Sequence, residues 1–301
     1  MGNRVFGWLT TFGQGLAIGV ANVIPGVSGG TMALIFGIYE KLISLLSDLF
    51  QASLALVRFD FKTFKGLLSS VSWGFLILLI LGILVAPLTG AALIPDLLDT
   101  WPEHSRSLFF GLILGTIPIP WIRMSSPRVA HALVLVLSAA ISFYLVGLPP
   151  TEISDPSLVA VFFSAALAIC AMILPGVSGA FVLLVIGMYA PIFEAIDQRN
   201  LAVIAVFALG AGVGLGSFAV VLKYLLEKAH DWTMAALVGL MAGSLRALWP
   251  WLESDRSLAL PTSWQGQGWV IALGLLGLLV SVGMTVLELR SAKHKANASA
   301  Q

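Results

Sequence analysis

Pro25-Gly26-Val27-Ser28-Gly29-Gly30 occurs a second time as Pro175-Gly176-Val177-Ser178-Gly179-Ala180. Both copies interrupt long apolar runs, with Asn22-Val23-Ile24 before the first and Met172-Ile173-Leu174 before the second. A glycine and a tyrosine follow each at matching offsets, Gly37 and Tyr39 in one copy, Gly187 and Tyr189 in the other. Proline removes a backbone donor, and glycine permits turns that other residues resist. A Pro-Gly break ending in Ser-Gly is a poor centre for an unbroken membrane helix. No charge or aromatic anchor marks it as a surface loop. The pair predicts polar, non-helical backbone inside the membrane, in two places.

Composition sets the class. Hydrophobic residues make up 58% of the chain and charged residues 10%, which excludes an ordinary water-soluble domain. Many windows approach the ~20 apolar residues that cross a bilayer core, so an all-α polytopic membrane protein is expected. The single cysteine, Cys170, excludes an intramolecular disulfide and a Cys-rich metal site. The four histidines show no metal-ligand spacing, so no metal is expected. Ser28 and Ser178 have no nearby His–Asp pair, so a serine nucleophile and an enzymatic role are not expected. Nor is a nucleic-acid partner. Arg4 followed by apolar residues, without a small-residue cleavage site, reads as the start of the mature fold.

A second repeated signature extends the resemblance between halves. Gly111-Leu112-Ile113-Leu114-Gly115 with Trp121 matches Gly239-Leu240-Met241-Ala242-Gly243 with Trp249. The chain therefore divides into repeats over 1–150 and 151–289, followed by a polar tail, 290–301, expected to be disordered. In the first, a broken hairpin over about 5–50 precedes spans near 71–93, 107–122 and 129–148. In the second, a hairpin over about 158–196 precedes spans near 201–222, 233–249 and 268–287. Gly210, Gly212, Gly214 and Gly216 lie inside one of these spans and read as close helix packing rather than a dinucleotide loop.

Basic residues orient the chain. With the N-terminus inside, inner segments collect Arg4, Lys41, Arg58, Lys62, Lys65, Arg123, Arg128, Lys223, Lys228 and the basic tail. Outer segments collect only Arg106, Arg199 and Arg256. Both termini are thus expected in the cytoplasm. An odd number of spans per half makes the repeats inverted. Charge leaves open whether each hairpin dips halfway or crosses fully, since both return the chain to the same side. The uncharged turn favours re-entry.

In a re-entrant hairpin the Ser-Gly element begins the returning arm. Its N–H groups and positive helix end attract anions. Gly26, Ser28, Gly29, Gly30, Thr31, Gly176, Ser178 and Gly179 are the candidate binding residues, with close helix packing as the alternative. Arg246 lies within the Gly-Leu-x-x-Gly span where the first repeat has Pro118. A membrane arginine commonly marks function, and its planar fork suits phosphate or carboxylate; the alternative is a side chain reaching the outer interface. Asn22 and Glu40 are candidates for gating or coupling, each with a plain packing or boundary reading beside it. No cofactor is expected, although coupling to a proton or sodium gradient stays open.

The stretch Asn22–Tyr39, with the second Pro-Gly-Val-Ser-Gly and the paired Gly-Leu-x-x-Gly elements, resembles the bacterial polyprenyl-phosphate transporter family over nearly the whole chain. That resemblance implies a flippase of the cytoplasmic (inner) membrane that returns undecaprenyl phosphate from the outer to the inner leaflet for carrier recycling in cell-wall biogenesis. Its partners would be that anionic lipid and the surrounding membrane lipids; chain length and oligomeric state stay open. Family copies of the first motif commonly carry Asp where this chain has Asn22. The residues themselves also fit a secondary transporter of a small soluble anion.

Overall fold

Each motif-bearing segment is broken twice, and the second break explains the glycine–tyrosine pair that follows each motif. The computed structural model describes residues 2–23, 28–86, 97 and 100–299; Gly26, with Pro25 and Val27, lies outside them. In the first half, α1 (Gly2–Val23) is followed by a seven-residue α2 (Gly29–Ile35) and then α3 (Tyr39–Val57). In the second, α9 (Leu158–Ile173) is followed by α10 (Gly179–Val185) and α11 (Tyr189–Asp197). Gly37 and Gly187 separate the paired short helices with φ of 66° and 76°. Other residues adopt that left-handed conformation only at a cost. The single returning arm expected after each motif is therefore two helices. Seven residues rise only about 10 Å, against a hydrocarbon core of about 30 Å.

Between these helices lie α4 (Phe61–Ser70), α5 (Trp73–Val85), α6 (Pro102–Leu114), α7 (Pro118–Ile122) and α8 (Val129–Val146). After α11 come α12 (Leu201–Lys228), α13 (His230–Ser244), a 3-10 turn (Leu245–Leu248) and α14 (Gly268–Ser299). Asp60 and Asn200 start α4 and α12 by accepting the Thr63 and Val203 N–H groups. α14 continues beyond residue 290, where the sequence predicts a disordered tail; the Ala- and Lys-rich stretch has high helix propensity.

Among the described residues, four stretches are long and apolar enough to cross a membrane: Pro102–Ile122, Val129–Val146, Leu201–Lys228 and Gly268–Val286. The number reaches six if the bent pairs α4–α5 (69°) and α10–α11 (105°) each form one span. The expected span 233–249 is α13 plus the 3-10 turn, and α13 has only 15 residues. Broad apolar faces remain uncovered, such as Leu133, Val136, Leu137 and Tyr144 along α8 and Leu275, Leu276 and Leu279 along α14. Lipid suits these faces. The protein is a multi-pass membrane protein.

The repeats pack in matching ways. α1 lies on α5, as α9 lies on α12. The last long helix of each half instead packs on the Gly-Leu-x-x-Gly helix of the other: α14 on α6, and α8 on α13. A side chain at Gly111 would strike the Gly274 carbonyl; one at Gly239 would strike Ser138. Each contact also carries a hydroxyl bond, Ser107 to the Val270 carbonyl (2.6 Å) and Ser142 to the Leu240 carbonyl (2.9 Å). Small residues and interhelical hydroxyls stabilise helix contacts where lipid removes the hydrophobic drive. Gly210 and Gly214 pack α12 on Phe162 and Ala166 of α9. The main core joins both halves, with Leu34, Tyr39 and Ile43 packed among Leu222, Met234 and Met241.

Candidate functional site

The two breaks touch. Ser28 caps α2, accepting the Gly30 N–H at 3.1 Å, while its hydroxyl proton serves the Met172 or Leu174 carbonyl, each 3.0 Å away. Those carbonyls belong to the end of α9, where the second break begins. Thr31, fully buried, accepts the Gly176 N–H at 2.9 Å. A Cβ on Gly30 would strike the Ile173 carbonyl, so glycine is what allows this approach. Asn22 completes the first tip by accepting the Gly29 N–H at 2.8 Å. The candidate donors Ser28, Gly29, Gly30 and Gly176 thus have protein partners, two of them across the junction.

The second tip is looser. Ser178 caps α10 through a longer contact, 3.4 Å to the Phe181 N–H, and is half-buried beside exposed Ala180. Gly179 is buried against Ala168 and Met172 of α9. Ser244 of α13 abuts Gly176, and two residues later Arg246 emerges on the 3-10 turn. Its guanidinium donates to the Phe143 carbonyl (3.2 Å) and the Arg256 carbonyl (3.1 Å) and lies 4.7 Å over the Phe143 ring. Its Nε is buried without a partner among the described residues. Arg256 in turn stacks 4.4 Å over Phe181 of the second tip. Charge and spacing had marked Arg256 only as an outer-loop cation, because its contact with the hairpin is long-range.

Glu40 lies away from the junction. Its carboxylate is 3.6 Å from His230 Nε2, and His230 Nδ1 is 3.4 Å from Asp231. Asp231 accepts the Ser125 and Ser126 N–H groups, both at 2.8 Å. Those donors hold its carboxyl below the usual carboxylate range. A carboxylate–imidazole–carboxylate chain thus ties the start of α3 to α13 and the 123–128 loop. Tyr39, next to Glu40, stands out in the sequence only as part of the repeat. Its hydroxyl is fully buried with no hydrogen-bond partner among the described residues, whereas its counterpart Tyr189 is partly exposed against Phe193.

An apolar cavity of about 230 Å³ opens beside the junction, lined by Leu174, Phe218, Leu222, Trp232, Leu237 and Leu240 among others. Leu174 belongs both to this wall and to the carbonyl pair facing Ser28. No group of three or more metal-ligating side chains occurs among the described residues.

A helical membrane protein with paired breaks meeting in its interior is a transporter-like architecture, and similarity narrows the class. Residues 18–265 match the VCA0040-like, undecaprenyl phosphate translocase-like family, and the chain belongs to that family. It is 38% identical over 254 residues to a polyprenyl-phosphate transporter of Vibrio cholerae serotype O1, covering 84% of this chain and 82% of that protein. A polyprenyl-phosphate transporter of Staphylococcus aureus is 30% identical over 271 residues, covering 83% and 89% respectively. No solved structure matches the chain.

Proposed function

We propose that the chain is a flippase for polyprenyl phosphate, returning undecaprenyl phosphate from the outer to the inner leaflet of the bacterial cytoplasmic membrane. The observation that carries this reading is the direct bonding between breaks, Ser28 to the Met172 and Leu174 carbonyls and Thr31 to Gly176. The closed junction holds the donors that an anion needs. Exchanging these bonds for bonds to phosphate oxygens opens the passage, and remaking them closes it behind the headgroup. The Ser28 hydroxyl and the Gly30 and Gly176 N–H groups supply the donors, and Arg246 supplies charge beside the second tip. The prenyl tail follows the apolar wall at Leu174 and Leu222 and otherwise stays in lipid. No covalent step is needed, so the role is transport rather than catalysis.

The basic-residue pattern supports cytoplasmic termini and inverted repeats, with the first break reached from the inner face and the second from the outer. The short α2 and α10 helices favour half-depth hairpins. The Glu40–His230–Asp231 chain lies at the inner end in this orientation and places Glu40, the coupling candidate, in a row of polar groups reaching α13.

Purified protein in proteoliposomes containing undecaprenyl phosphate tests the reading. The wild-type chain moves the lipid between leaflets, while Ser28→Ala and Arg246→Ala, still folded, slow it at least about tenfold, as expected for losing a hydrogen bond to a charged group. Unchanged lipid transport in both variants overturns the site assignment. Uptake of free phosphate with no lipid movement points instead to a soluble-anion transporter.

A further inference from the structure

Two arginines from separate elements meet where α8 ends, and a third holds the base of the turn that carries one of them. Arg106 of α6 donates to the Leu252 carbonyl at 2.9 Å. Arg246 donates to the Phe143 and Arg256 carbonyls, and Arg256 Nε to the Val146 carbonyl at 2.9 Å. Every one of these acceptors is a backbone carbonyl. The ion pairs among the described residues lie elsewhere, at Lys223–Asp48 and around His230. Glu103, a turn before Arg106 on the same helix, is the acidic group that bears on it. Burial holds the Arg256 guanidinium below its usual range, and the charges of Arg246 and Arg106 add to that effect.

Capping accounts for part of this arrangement. Phe143 and Val146 lie in the last turn of α8, where a helix presents about half a negative charge. That partial charge cannot balance three full positive ones. A guanidinium has five donors in a rigid plane; Arg106 and Arg256 each engage one with the protein and Arg246 engages two. The buried Arg246 Nε has none among the described residues. Gly147 keeps the space open, because a Cβ there would strike the Arg246 guanidinium. Arg256 stacked on Phe181 sets the group at the second break.

We propose that Arg106, Arg246 and Arg256 form a three-guanidinium site at the mouth of the second hairpin break that selects a phosphate monoester over a phosphodiester. A monoester carries about −1.5 to −2 charge near neutral pH, whereas the diester of an ordinary phospholipid carries one. A cluster of half-buried cations gains more from the more highly charged group, and forked donors match its several oxygens. This selectivity rests on the lipid-phosphate reading above, to which it adds Arg106 and Arg256 and the basis for rejecting bulk phospholipid.

Binding to the purified full chain in detergent tests it, with farnesyl phosphate, inorganic phosphate and phosphatidylglycerol as probes. The wild type binds farnesyl phosphate about tenfold or more tightly than phosphatidylglycerol, and Arg106→Gln and Arg256→Gln each weaken the monoester by about tenfold. Gly147→Ala, which displaces Arg246 without removing charge, reduces the same preference; together with Arg256→Lys it gives the reading if a glutamine variant does not fold. Wild-type monoester affinity in folded variants, or no wild-type preference over phosphatidylglycerol, overturns the proposal. Equal binding of inorganic and farnesyl phosphate, both lost in Arg256→Gln, keeps the anion site and overturns the lipid reading instead.

Discussion

The two breaks share Pro-Gly-Val-Ser-Gly yet occupy opposite environments. Ser28 and Thr31 at the first tip are 1% and 0% exposed and bond to the second half, while Gly29 between them donates to Asn22. At the second tip Ser178 is half-buried, Ala180 is exposed, and Phe181 carries a guanidinium on its ring. Three substitutions between the copies account for the difference: Asn22 against Met172, Gly30 against Ala180, and Thr31 against Phe181. The repeat supplies a common turn. Divergence at its edges leaves one copy buried and bonded across the junction and the other partly exposed.

Making the first tip resemble the second breaks the comparison most sharply. Gly30→Ala drives a Cβ into the Ile173 carbonyl, and such overpacking costs about 1–3 kcal/mol; the transport assay is expected to show near-complete loss. The reverse change, Ala180→Gly, costs about 1 kcal/mol or less, the ordinary helix penalty. Equal thermal destabilisation by the two would show that the tips are not differently packed. Thr31→Val leaves the buried Gly176 N–H without its acceptor, costing about 1–3 kcal/mol. Ser178→Ala removes only a cap, and its expected cost is about 1 kcal/mol.

At Asn22, leucine removes the acceptor for Gly29 and lowers stability by about 1–3 kcal/mol, whereas aspartate keeps one. Melting curves that rank aspartate with leucine would show that Asn22 does something other than cap. The smallest effect is electrostatic and lies at the start of α13. Since the folded Asp231 carboxyl sits below its ordinary range, its contribution is present above the unfolded value. It is lost as pH falls through the folded one. Amide exchange at Ser125 and Ser126, corrected for its intrinsic rate, should therefore speed up below about pH 4 but stay flat in Asp231→Asn.

Much of the architecture was legible from one-dimensional patterns. The duplicated motif located both breaks, and the Gly-Leu-x-x-Gly strings located the helix faces that need close contact. The Gly37–Tyr39 and Gly187–Tyr189 pairs were visible as repeats, but their meaning as second breaks depended on backbone conformation. The candidate site was legible in its residues and not in its wiring. Ser28 faces carbonyls 144 and 146 positions away, and Arg246 reaches Phe143 across 103. Spacing carries no information about such pairs.

The contrast follows from the physics of each level. Apolar composition, helix breaks at Pro-Gly and the bias of basic loops are local or additive properties, so the amino-acid string alone defines a helical membrane protein in which the same motifs occur twice. Which tip is buried and which is partly exposed depends on close approach between distant segments, where one Cβ at residue 30 or one hydroxyl at residue 31 decides whether backbones can meet. The grouping of Arg106, Arg246 and Arg256 is likewise tertiary, because cations come together only when packing of their separate elements holds them there.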